Sequence, residues 1–179
     1  MKLLFYLVLA LSLAACNDEV PKTQKLAGQL TFNDFETVDG WASGTPIPSL
    51  TSEKAHSGTF AVKVAPGIDY SLGYNNLLGK VGGNKLRKLR VQAWVFVPNA
   101  QSSAVLVTQL RDEAAQKDLM WEGLSLSKEA KEVNRWVKVE KVVTLPETAT
   151  YNNRLLVYLW RNNSSQPAYL DDLQLSWAD

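Results

Sequence analysis

Residues 59–65 read TFAVKVA, set between Gly58 and the pair Pro66-Gly67. Phe60, Val62 and Val64 alternate with Ala61, Lys63 and Ala65, so an extended chain puts the first set on a core and the second away from it. Turn residues at both ends make the segment a strand with one buried face. The same period governs the rest of the chain. LRVQAWVFV at 89–97 ends at Pro98-Asn99, AVLVTQL at 104–110 follows Gln101-Ser102-Ser103, and residues 119–126 alternate again. Residues 135–145 stop at Pro146, LLVYLW at 155–160 stops at a polar run from Arg161, and residues 168–177 close the chain. No long stretch shows i, i+3, i+4 spacing, and the one helix-like piece, SKEAKEV at 127–133, is too short for more than about two turns. About nine short strands separated by turns predict an all-β fold, a β-sandwich of two antiparallel sheets.

Connections this short leave no room for βαβ units, which excludes the parallel-sheet folds and their dinucleotide or phosphate sites. GYNNLLGKVGGN at 73–84 contains Gly79-Lys80, but five residues separate Gly73 from Gly79 and Val81 stands where a phosphate loop needs Ser or Thr. The segment is expected to be a long loop on the rim of the sandwich, available for ligand contact.

The 179 residues carry 19 Lys+Arg and 18 Asp+Glu, a formal net charge of +1. A near-neutral chain has no basic footprint for phosphates, so nucleic acid is not an expected partner. One Cys and one His exclude an internal disulfide, a Cys-based zinc site and a His-rich metal cluster. His56 has no nucleophile motif around it and precedes Ser57-Gly58, which makes it a turn residue rather than a general base.

Lys2 precedes the apolar run LLFYLVLALSL at 3–13, too short to span a bilayer but suited to the core of a secretory signal. Leu13-Ala14-Ala15-Cys16 follows and resembles the lipobox of bacterial lipoproteins. The resemblance implies a signal peptide over residues 1–15, lipidation at Cys16, and a soluble domain held at the cell envelope, at the outer membrane, by its acyl chains. Residues 16–28, with Pro21, Gly28 and no apolar period, are expected to be the acylated Cys and a tether, and residues 29–179 the sandwich domain.

Three further pieces stand in order: Phe32-Asn33-Asp34-Phe35-Glu36 with Gly40-Trp41, then Ala55-His56-Ser57-Gly58 leading into the strand at 59–65, and finally Tyr169-Leu170-Asp171-Asp172-Leu173. Together they resemble the carbohydrate-binding modules with a galactose-binding-like jelly-roll fold, near families 4, 9 and 22. That resemblance implies a jelly roll, a glycan ligand, and a structural calcium held by Glu36, the backbone near Ser57 and Gly58, and Asp171. Simple alternation places Asp171 on the otherwise apolar face of Tyr169, Leu173, Leu175 and Trp177, where a carboxylate needs a partner that the strand does not supply. Calcium is one solution; a β-bulge that carries Asp171 and Asp172 to a rim, to cap a turn, is the other.

Sugars offer CH faces to aromatic rings and hydroxyls to polar groups. If their strands share a sheet, Trp94, Trp121, Tyr158 and Trp160 are expected to line one face with Gln92, Gln109, Arg111 and Glu122 around them. Tyr70 and Tyr74, beside Asn75 and Asn76, are expected to add a wall. Trp41, Trp136 and Trp177 open or close strands and are expected to pack. The expected function is a lipid-anchored, non-catalytic polysaccharide-binding module. The alternatives are an envelope-assembly or adhesion lipoprotein with a protein partner and, third, a small jelly-roll glycosidase or lyase.

Overall fold

Each alternating segment forms a strand because one side of it has a core to meet. In the computed structural model, which describes residues 28–38, 46–81 and 86–178, these segments build two antiparallel sheets. The expected leader, Cys16, the tether up to residue 27, Gly40 and Trp41 lie outside the described residues. The strands are β1 (Gln29–Asn33), β2 (Leu50–Thr51), β3 (Ala61–Val64), β4 (Tyr74–Leu77), β5 (Lys88–Phe96), β6 (Val105–Asp112), β7 (Lys117–Ser125), β8 (Trp136–Thr144), β9 (Arg154–Trp160) and β10 (Ala168–Trp177). The six-stranded sheet runs β2-β3-β10-β5-β8, with β1 also on β10; the four-stranded sheet runs β4-β9-β6-β7.

The inner faces interdigitate as alternation predicts. Leu89, Val91, Ala93 and Val95 of β5 meet Leu155, Val157 and Leu159 of β9, all at most 1% exposed. One turn of helix, α1 (Leu126–Glu129), stands where SKEAKEV suggested up to two.

The expected loop at 73–84 is corrected in part. Residues 74–77 pair with β9, with Tyr74 opposite Val157 and Leu77 opposite Arg154, and a 3-10 turn over Leu78–Lys80 follows. YNNL has no apolar alternation because β4 is an edge strand held by backbone pairing. At the opposite edge Lys141 of β8 reaches across the gap between sheets and donates to Glu122 Oε2 at 2.8 Å and to the Gly123 carbonyl at 2.9 Å.

Candidate functional site

The four-stranded sheet turns its outer face to solvent, and its register decides what stands there. Across one row Leu156 of β9, Gln109 of β6 and Trp121 of β7 are neighbours; Tyr158, Val107 and Gly123 form the next, and Trp160, Val105 and Ser125 the third. Trp121 is 47% exposed. Its ring lies over Gly123, where an added Cβ would come within 2.9 Å of Trp121 Cη2 and of Val105 Cγ1. That passage brings it to Trp160, edge to face, with centroids 6.1 Å apart. Tyr158 and Tyr70 form a second perpendicular pair at 5.8 Å, and the Tyr158 hydroxyl donates to Gln109 Oε1 at 3.0 Å. Burial holds the Tyr158 and Tyr74 phenols above their ordinary pKa.

Tyr70 belongs to a strap tied to the end of β9. Ser71 N donates to the Leu159 carbonyl and Leu159 N to Ser71 Oγ, both at 3.0 Å, while Arg161 N donates to the Asp69 carbonyl at 2.8 Å. Gly73 lets the strap press onto β9, since a Cβ there would lie 2.0 Å from the Val157 carbonyl oxygen. The strap, Tyr74, Gln109, Leu156 and Tyr158 enclose a recess of about 340 Å³. Ser71 and Leu72 in its wall escaped the sequence reading; Gly73, inside the segment flagged for ligand contact, was the available signal.

Four of the expected residues, Trp121, Trp160, Tyr158 and Tyr70, thus stand together. Tyr74 joins the recess from the side: its partner Val157 is a core residue, and its ring packs against the core. Arg111 sits at the end of the face, where Asp118 and Gln116 of the β6–β7 hairpin accept its guanidinium at 3.1 and 3.2 Å.

Two expectations are corrected. Glu122 is adjacent to Trp121 and therefore points to the other side of β7, in register with buried Thr108, where it meets Lys141. Trp94 and Gln92 belong to β5, in the other sheet, so they stand on the opposite side of the sandwich. The face of Trp94 is also covered, because the His56 ring stacks on it at 3.8 Å with planes 13° apart. Trp136 packs edge-on against Phe96 and His56, and Trp177 against the core.

His56 belongs to the turn expected to hold calcium. Asp171 is fully buried, and its Oδ2 accepts from His56 N at 2.8 Å and Ser57 N at 3.1 Å, while its Oδ1 accepts from Asp172 N at 2.7 Å. Burial raises the Asp171 pKa against the pull of these donors. A register shift between Asp171 and Gln174, with Asp172 at φ 50°, is the expected β-bulge: Asp171 stands opposite Trp94, off the face of Leu173 and Leu175, and meets the turn together with Asp172, but it is buried there and not at a solvated rim. Asp172 accepts Ser57 Oγ at 2.8 Å and pairs with His56 Nδ1 at 2.6 Å. Ser57 therefore gives its hydrogen to a carboxylate and not to the imidazole, which is not the arrangement that activates a serine.

From the other side Glu36 Oε1 accepts from Thr59 N at 2.8 Å and Phe60 N at 2.7 Å. The set fits a cation in part. Glu36 and Asp171 bracket one turn, but Glu36 Oε1 and both Asp171 oxygens already receive N–H groups, and among the described residues no group of three or more His, Cys, Asp or Glu side chains is placed to hold a metal ion.

No family profile and no curated protein matches the sequence. The fold has solved counterparts. The CBM22-1 xylan-binding domain of Paenibacillus barcinonensis Xyn10C is similar with a TM-score of 0.53 and 19% identity, over 83% of this chain and 94% of that one. The C-terminal family 22 carbohydrate-binding module of Clostridium thermocellum Xyn10B is similar with a TM-score of 0.52 and 14% identity, over 86% of this chain and 96% of that one. The fold is the jelly-roll sandwich of such modules.

Proposed function

We propose that this protein is a non-catalytic glycan-binding module that takes a polysaccharide on the outer face of its four-stranded sheet. The observation that carries the reading is the pair of perpendicular ring contacts, Trp121 with Trp160 and Tyr70 with Tyr158, exposed beside a recess that also holds Gln109. Aromatic faces suit the CH surfaces of sugar rings, and the phenol and amide groups suit their hydroxyls. The likeness of fold to xylan-binding modules makes xylan the first probe.

The anchor is part of the same proposal: lipidation at Cys16 would hold the module at the cell envelope, supported by the run at 3–13 and the lipobox-like LAAC. A calcium ion between Glu36, the Ser57–Gly58 backbone and Asp171 is a further proposal, supported by the position of both carboxylates at one turn.

The test is binding of the full-length protein, purified in detergent, to xylan and a panel of other soluble and insoluble polysaccharides, with a membrane-fractionation arm using Cys16→Ser. Retention on at least one polymer, and release of Cys16→Ser from the membrane fraction, are expected. Folded protein that binds no polymer overturns the glycan reading in favour of a protein partner, and release of reducing ends from a polymer overturns the non-catalytic one.

A further inference from the structure

Beyond the row of Leu156, Gln109 and Trp121 the outer face of the four-stranded sheet becomes charged. Two residues further along their strands, about 7 Å away, Arg154 of β9 stands opposite Arg111 of β6, and Arg111 opposite Asp118 of β7. Alternation sets Arg154 on the side of Leu156 and Tyr158, and Arg111 on the side of Gln109. Like charges directly opposite on neighbouring strands repel, so each needs a carboxylate beside it.

Both have one. Glu113, in the β6–β7 hairpin, pairs with Arg154 Nε at 3.1 Å, and Asp118 with Arg111 Nη1 at 3.1 Å. An amide holds each guanidinium from a second direction: Asn75 Oδ1 accepts from Arg154 Nη1 at 2.8 Å, and Gln116 Oε1 from Arg111 Nη2 at 3.2 Å. A guanidinium has five N–H donors in one plane, and these partners engage only part of each set. The Arg111 and Arg154 side chains are 30% and 35% exposed, within reach of a ligand on this face. Among the described residues no other Lys or Arg shares this side of β4, β9, β6 or β7, since Lys117, opposite Asp112, has the other parity. Arg161, just past β9, is taken by Asp69 at 2.6 Å and by the Ser164 carbonyl at 2.9 Å. The face therefore carries fixed donors without an unbalanced positive charge.

A uronate carboxylate would need the guanidinium edges that Glu113 and Asp118 occupy, and would meet both as like charges. Sugar hydroxyls carry no charge and can accept from the remaining N–H groups. We propose that Arg111 and Arg154 form a further subsite of the glycan face, and that Glu113 and Asp118 make it specific for uncharged sugars. The inference deepens the glycan reading above and rests on it. Glu113 and Asp118 act through the arginines, as positioning residues: they fix the two guanidinium planes and withhold them from anions.

The test measures the affinity of the full-length protein in detergent, at low and high salt, for linear xylan and β-1,4-galactan, and for glucuronoxylan and polygalacturonate before and after carboxyl reduction. The wild type is expected to bind an uncharged polymer with little salt dependence, and to bind neither acidic polymer more tightly than its reduced form. Glu113→Gln with Asp118→Asn should gain about tenfold for the acidic polymers at low salt, a gain that high salt removes, and should lose several-fold for the uncharged one as the guanidinium planes come loose. Arg154→Met, which keeps the apolar stem, should also lose several-fold for the uncharged polymer. Glu129→Gln with Glu132→Gln changes the net charge equally, at α1 and just after it, and should gain nothing. Should the first double variant fail to fold, Asp118→Asn alone decides, with a smaller gain. A wild type that prefers the acidic forms, a gain no larger than that of the control pair, or an Arg154→Met variant equal to the wild type would overturn the inference and leave the glycan reading intact. A folded wild type that binds no polymer of either kind would overturn both.

Discussion

Trp121 and Trp160 meet edge to face although β6 lies between their strands. Trp121 is in register with Gln109 and Trp160 with Val105, so the indole of Trp121 must cross Gly123 to reach its partner. Both rings add surface to the outside of the sheet and little to the core. Trp121→Ala and Trp160→Ala should each abolish retention on the bound polysaccharide. For the exposed Trp121 the stability cost should stay within about 1 kcal/mol, whereas Leu159→Ala on the inner side of β9 should lose about 2–5 kcal/mol. Parallel melting curves and binding assays check this, and a collapse of the fold in both tryptophan variants would return the rings to the core.

Gly123 offers a subtler test, because it need not touch a ligand. Gly123→Ala places a Cβ 2.9 Å from Trp121 Cη2 and from Val105 Cγ1, so the indole must move off Trp160. Affinity should fall several-fold while the melting midpoint changes little, since the displaced ring is already half in solvent. Tryptophan fluorescence of the variant should report the altered pair, and unchanged affinity would mean that the mutual geometry of the rings is irrelevant to binding.

Much of this face was legible in the sequence, and the parts that were not share one cause. Alternation in LLVYLW separates Leu155, Val157 and Leu159, all buried, from Leu156, Tyr158 and Trp160, all half-exposed. Which strands lie side by side is a different matter, set by pairings between residues far apart in the chain. Trp94 has the outward parity the alternation gave it, yet β5 pairs with β8 and β10 and carries it to the other side. Edge strands add a second difficulty, as β4 is polar along Asn75-Asn76 and is held largely by its backbone pairing with β9. The bulge after Asp171 is a third, since a single left-handed residue, Asp172 at φ 50°, shifts the register so that Asp171, opposite Trp94, leaves the face of Leu173 and Leu175.

Gly58 and Glu36 depend on each other. Gly58 is left-handed at φ +56°, and a Cβ there would fall 2.4 Å from Glu36 Cδ. Gly58→Ala should therefore cost more than the roughly 1 kcal/mol of left-handed strain alone, with about 2 kcal/mol or more expected. Glu36→Ala removes the acceptor of Thr59 N and Phe60 N and should cost about 1–3 kcal/mol by itself. If the clash is the cause, the double variant loses less than the sum of the two, a coupling that a double-mutant cycle by chemical denaturation measures directly.

Asp171 carries the calcium question. Three backbone N–H groups point at its buried carboxylate, so Asp171→Ala strands all three and should cost about 3 kcal/mol or more. If calcium also binds at this turn, calcium at about 100 times its dissociation constant adds about 2.7 kcal/mol, which EDTA removes and Glu36→Gln diminishes. A melting curve that chelation leaves unchanged would assign the turn to hydrogen bonds alone.

Tyr169 provides a pH test of the sheet on the opposite side. Its phenol donates to Glu53 Oε2 at 3.0 Å, and Glu53 also pairs with Lys63. Burial, then the Glu53 hydrogen bond, pushes Tyr169 up to about 12, while Lys63 first and Tyr169 second hold Glu53 below its ordinary value. The unfolded phenol ionises near pH 10, so between about 10 and 12 the folded state keeps a proton that the unfolded state has lost. Stability from this group is complete below about pH 10 and is lost as pH rises through 12. Glu53 works in the opposite direction, its contribution disappearing as pH falls through its depressed value. Tyrosinate absorbance should therefore show a last step near pH 12 that Tyr169→Phe deletes, even though Tyr74 and Tyr158 are also raised. Ionisation of every tyrosine together near pH 10 in the folded protein would rule out the Tyr169–Glu53 hydrogen bond.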